Sequence, residues 1–137
     1  MRIMIIVLGI VCLLANTATA ALMMRERSMS DNVPDPVLLS PVQESVDLTG
    51  KASLEFRWSP HERARGFRRF YDFRLYEGTN EVESTRIYKE EVPPEQHNKS
   101  LPTKMFDNGK VYTWTLRQVY DEGRKSRRSY NTFKVVK

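Results

Sequence analysis

The sequence predicts an all-β domain: a sandwich of two sheets built from seven antiparallel strands. Three observations carry this. Large apolar residues alternate with polar ones at a period of two in several segments, turn-forming residues punctuate the chain between them, and no segment holds an apolar stripe at helical spacing.

Taken in order, the chain opens on a targeting segment. Met1 and Arg2 precede an almost unbroken apolar run from Ile3 to Ala15, and Ala18-Thr19-Ala20 is a small-x-small cleavage site. Residues 1–20 therefore read as a signal peptide cut after Ala20, which sends the mature chain to the periplasm, the cell surface or the medium. Two rivals use the same residues. Uncut, the 22 uncharged residues between Arg2 and Arg25 could serve as a membrane anchor. Against this, Asn16 and Thr17 break the apolar run, and Arg25 and Arg27 put positive charge on the outer flank. Lipidation of Cys12 calls for a small preceding residue, where Val11 stands. Cys12 is the sole cysteine, so the mature chain has no disulfide, no cysteine-based metal site and no thiol nucleophile. Without residues 1–20 the chain keeps 21 basic and 17 acidic residues, a net charge of +4, so the distribution of charge matters more than its total.

Ala21 to Pro36 reads as a flexible tether, polar, proline-marked and without aromatics. All fourteen aromatic residues fall between Phe56 and Phe133, which sets the domain at residues 37–137. Within it, Leu54, Phe56 and Trp58 alternate with Glu55 and Arg57. Tyr71, Phe73 and Leu75 alternate with Asp72 and Arg74. Tyr112, Trp114 and Leu116 alternate with Thr113, Thr115 and Arg117, and Phe133 and Val135 flank Lys134. Each pattern suits a strand that covers one side of a core. Weaker strands are expected over Val37–Val42, Val82–Val92 and Asn98–Phe106. Thr49-Gly50, Ser59-Pro60, Gly66, Glu77-Gly78, Pro93-Pro94, Asn108-Gly109 and Glu122-Gly123 supply the turns.

In this order the segments resemble the fibronectin type III family of immunoglobulin-like sandwiches. Val37-Leu38-Leu39-Ser40-Pro41 is similar to its proline-marked first strand, Leu54-x-Phe56-x-Trp58-x-Pro60 to strand B, and Tyr71-x-Phe73-x-Leu75-Tyr76 to strand C. Asn108-Gly109-Lys110-Val111-Tyr112-x-Trp114-x-Leu116 looks like strand F, with Tyr112 at the family's tyrosine position. Gly123 to Ser129 and Phe133-x-Val135 look like the F–G loop and strand G. The resemblance implies a spacer or binding module and no catalytic residues. The F–G loop has no Arg-Gly-Asp triplet, so integrin-type adhesion does not carry over.

The arginines are the informative feature. The B–C connection, Ser59 to Arg69, holds Arg63, Arg65, Arg68 and Arg69, and the F–G loop holds Arg124, Lys125, Arg127 and Arg128. Those two loops leave an immunoglobulin-like sandwich at the same end. Eight basic side chains would then share one pole, where guanidinium forks match carboxylate, sulfate or phosphate. The expected partner is an anionic polysaccharide, a lipid head group or an acidic protein of the envelope or exterior. Nucleic acid is the weaker choice, since no nucleic-acid motif is present, and a membrane enters only if the signal is retained. The competing reading is that these are solvated loops, with Glu62, Asp121 and Glu122 offsetting their charge.

No cofactor, metal or catalytic site is expected. His61 and His97 would need further ligands, for which Glu62 and Glu95 are the candidates, and read instead as ordinary exposed loop histidines. Glu90-Glu91 and Asp121-Glu122 sit in turns, and no nucleophile-elbow motif occurs. Trp58 and Trp114 share the phase of core residues rather than of exposed stacking platforms. Phe70 and Tyr76 lie on the opposite face of strand C with Arg74 between them. That face, or a sheet edge, would serve the alternative role of structural spacer or assembly subunit. Asn98-Lys99-Ser100 is a glycosylation sequon, which has meaning in a eukaryotic secretory pathway.

Overall fold

The computed structural model describes residues 33–59 and 68–137, all within one compact unit, Val33–Lys137. The expected signal peptide, residues 21–32 of the expected tether, His61, Glu62, Arg63, Arg65 and Gly66 lie outside the described residues. The described residues form two sheets and an all-β fold, as the alternation predicts. They contain eight strands: β1 (Val37–Ser40), β2 (Ser45–Asp47), β3 (Ser53–Ser59), β4 (Arg68–Glu77), β5 (Arg86–Val92), β6 (Asn98–Pro102), β7 (Val111–Tyr120) and β8 (Ser129–Val136). One sheet has the order β1-β3-β6, the other β2-β8-β7-β4-β5.

The count is eight rather than seven, and one pair is parallel rather than antiparallel. The first predicted strand, Val37–Val42, stops at Ser40 because Pro41 has no N–H with which to continue a ladder. After the cis Ser40-Pro41 bond the chain crosses to the larger sheet, where β2 runs parallel to β8. Two other expected strands are shorter than their sequence windows. Residues Glu83–Thr85 form a 3₁₀ turn, held by the Thr85 hydroxyl donating to the carbonyls of Asn80 and Val82, so β5 starts at Arg86. Pro102 ends β6, and Thr103–Met105 form a second 3₁₀ turn.

The strand alternation resolves into burial. Leu54, Phe56 and Trp58 face inward from β3 against Tyr71, Phe73 and Leu75 of β4, Trp114 and Leu116 of β7, and Phe133 and Val135 of β8. Phe56 sits at the centre, its ring centroid 5.1 Å from Phe73 and from Trp114 and 6.2 Å from Phe133. Edge-to-face contacts of this kind add to the roughly 2–3 kcal/mol that burial of such a side chain contributes. Trp114 keeps its indole N–H satisfied by donating to the Pro41 carbonyl at 2.9 Å, which ties β7 to the crossover. Two residues earlier in β7 the Tyr112 hydroxyl accepts the Asp107 N–H at 2.8 Å, securing the turn that enters the strand. Gly109 takes the left-handed conformation in that turn, with φ +79°, which an L side chain rarely adopts.

Val33–Pro36, assigned to the tether by composition, pack on the unit. Val33 is buried, and the carbonyls of Pro34 and Pro36 accept hydrogen bonds from Gln118 Nε2 and Ser129 Oγ. Among the described residues no helix is long and apolar enough to cross a membrane.

Candidate functional site: two groups of arginines

The predicted pole contains six residues with described positions, and they divide into three fates. Arg68 opens β4, and a bulge between Arg68 and Phe70 shifts the alternation so that it turns toward the core edge. Its guanidinium lies 5.1 Å from the Tyr71 ring centroid and 5.8 Å from that of Tyr120, and Nε donates to Gln118 Oε1 at 2.8 Å. Burial pushes the Tyr71 hydroxyl up, and the charge of Arg68 opposes that rise. Arg124, from the β7–β8 loop, also lies 5.8 Å from the Tyr120 ring centroid and pairs with Asp121 at 2.9 Å. The start of β4 and the β7–β8 loop thus meet across one tyrosine.

Arg69, Lys125 and Arg127 are exposed at or beside this end. The Arg127 side chain is 90% exposed, and its 3.5 Å approach to Asp35 is a surface contact worth little. Ser126 explains why Arg127 turns outward. Its buried hydroxyl accepts the Gln118 N–H at 2.9 Å and donates to the Arg127 carbonyl, which fastens the loop backbone beneath the side chain.

Arg128 belongs to neither set. It lies on the outer face of the five-stranded sheet, where Nη2 bonds the Asp72 carboxylate and Nη1 reaches the Asp72 carbonyl and Thr115 Oγ1 at 3.3 and 3.2 Å. Asp72, only 8% exposed, also accepts Nε and Nη2 of Arg74 at 3.1 and 3.0 Å. Burial alone would raise the Asp72 carboxyl, but the hydrogen bonds and charges of the two arginines outweigh it and hold it below the usual carboxylate range. Directly opposite Asp72 in the β4–β7 register stands Arg117, whose buried Nε has no hydrogen-bond partner among the described residues. Burial, and then the like charges of Arg128 and Arg74, lower its pKa.

Asp72, Arg74 and Arg117 were not predicted as a group. Alternation places each on the polar face of its own strand, but the pairing of Asp72 with Arg117 depends on a register between segments 45 residues apart. On the same face Phe70 is half-buried and Tyr76 is 3% exposed, so Tyr76 is covered rather than presented as an aromatic contact. Trp58 and Trp114 are both in the core. His97 is exposed and meets the Tyr71 ring edge-on at 6.0 Å. No protein-family model matches this chain, and no curated protein compared with it matches either.

Proposed function

We propose that the chain is an exported, non-catalytic binding module of the fibronectin type III kind, which presents basic residues at one end of its sandwich to an anionic partner of the cell envelope or exterior. Support for the fold family is the strand order. β1, β3 and β6 correspond to strands A, B and E of that family, and β8-β7-β4-β5 to G, F, C and C′, with β2 as an added segment beside G. The Tyr112 hydroxyl bonding back to the Asp107 backbone corresponds to the tyrosine corner of immunoglobulin-like domains.

The observation that carries the binding reading is the convergence of Arg68 and Arg124 on Tyr120. These two are held by stacking and hydrogen bonds, and around them Arg69, Lys125 and Arg127 remain exposed. A fixed inner pair with an exposed outer trio concentrates positive potential where a polyanion can approach. The test is binding of the full chain to alginate, a polycarboxylate, across a salt series. Charge reversal of Arg69, Lys125 and Arg127 to glutamate is expected to weaken binding by about tenfold or more, since removal of exposed cationic contacts acts through screened attraction. The same reversal at Arg57, Arg86 and Lys134 should leave most of the affinity. Equal loss in both variants would reduce the site to the protein's general basic charge.

A further inference from the structure

The outer face of the larger sheet carries a second, independent charge imbalance. Arg74, Arg117 and Arg128 surround one carboxylate, Asp72, which leaves two positive charges unmatched. The neighbours on β5 do not alter this, because Glu91 stands opposite Asp72 and Lys89 opposite Arg74, and they cancel. Most of the imbalance rests on Arg117. Its Nε is buried and has no hydrogen-bond partner among the described residues. A buried guanidinium donor without an acceptor is costly, so a ligand that supplied the acceptor would recover that cost.

The setting is also rigid. Arg74 and Arg117 project from the paired central strands β4 and β7, and Arg128 immediately precedes β8 and is bonded to Thr115 of β7. Asp72 occupies only part of the donor set of Arg74 and Arg128, since each guanidinium has five N–H groups. Arg74 and Arg128 would therefore lose little side-chain freedom on binding.

We propose that this cluster is a binding site for a doubly charged tetrahedral oxyanion, of the phosphate or sulfate type, seated on Arg117 and shared with Arg74 and Arg128. The dianion matches the excess of two charges, and its several oxygens match guanidinium groups arriving from three strands or strand ends. The site uses none of the exposed loop residues and stands or falls separately from the loop-end reading.

The test is titration of the full chain with inorganic phosphate, sulfate and acetate at constant ionic strength, followed by the arginine Nε–Hε signals in NMR spectra. Phosphate and sulfate are expected to shift the Arg117 signal saturably, and acetate to shift it far less. Arg117→Gln should weaken phosphate binding by about tenfold or more, as loss of a charged hydrogen-bonding partner implies. Arg117→Lys, which keeps the charge and loses the fork, should fall between. Thermal unfolding in phosphate-free buffer establishes that each variant is folded. The double variant Lys125→Glu, Arg127→Glu should bind phosphate as the wild type does. A further arm with glycerol 3-phosphate separates sources: binding equal to inorganic phosphate supports a site for a phosphate group carried on a larger molecule, and binding of the inorganic ions alone supports a site for the free ion. Absence of a saturable shift, equal response to acetate, or equal loss in the loop variant would overturn the proposal.

Discussion

Asp72 shows how one buried side chain ties a sheet face together and makes its stability depend on pH. Its folded-state pKa is depressed, so its contribution is fully present above the unfolded value of about 3.9 and is lost as pH falls through the folded value. Asp72→Asn strands Arg74 and Arg128 together beside Arg117, and is expected to cost about 3 kcal/mol at pH 7 by urea denaturation. That deficit should shrink below about pH 4, where the Asp72 carboxyl of the unfolded chain takes up a proton that the folded one still resists; a constant deficit down to pH 2 would mean that the arginines do not govern this group. Tyr112→Phe tests a single hydrogen bond. It removes the acceptor for the Asp107 N–H and keeps the ring in the core, so a loss near 1 kcal/mol is expected in the same assay.

At the scale of elements, β3 offers a direct check of the alternation. Phe56→Ala empties the space between Phe73, Trp114 and Phe133 and should cost about 4 kcal/mol. Its neighbour Arg57→Ala loses only an exposed contact with Glu55 and should stay within about 0.5 kcal/mol of wild type by equilibrium unfolding. This contrast was legible in the residues themselves, because a strand buried on one side writes its orientation into every second position. β2 was not legible. Ser45-Val46-Asp47 has one buried residue, too short a stretch for any period to show. The basic residues divide the same way. That Arg68 and Arg124 approach each other follows from strand order, but the bulge before Phe70 and the anchoring of Ser126 decide which arginines turn inward, outward or onto the sheet face. Neither device has a distinctive residue pattern, and both alternatives are equally basic in sequence.

At the scale of the whole molecule, the unit that holds together begins at Val33. A fragment spanning 33–137 is expected to unfold cooperatively in a thermal circular-dichroism scan. One spanning 37–137 loses the burial of Val33 and the acceptors for Gln118 and Ser129, and should be less stable by about 2 kcal/mol. Equal midpoints would show that residues 33–36 contribute nothing to the fold. The parallel pairing of β2 with β8 has a mechanical consequence. The Leu48 N–H donates to the Val136 carbonyl and the Lys134 N–H to that of Glu44, both at 2.8 Å, lacing the first segment of the larger sheet to the last. Tension that reaches β2 from its N-terminal side and β8 from its C-terminal side drags the two strands lengthwise in opposite directions. Their cross-links are then strained together in shear, whereas a hairpin pulled from its open end unzips one bond at a time. The splitting of the first strand at Pro41 therefore leaves the domain clasped along the line on which a pull between its ends would act.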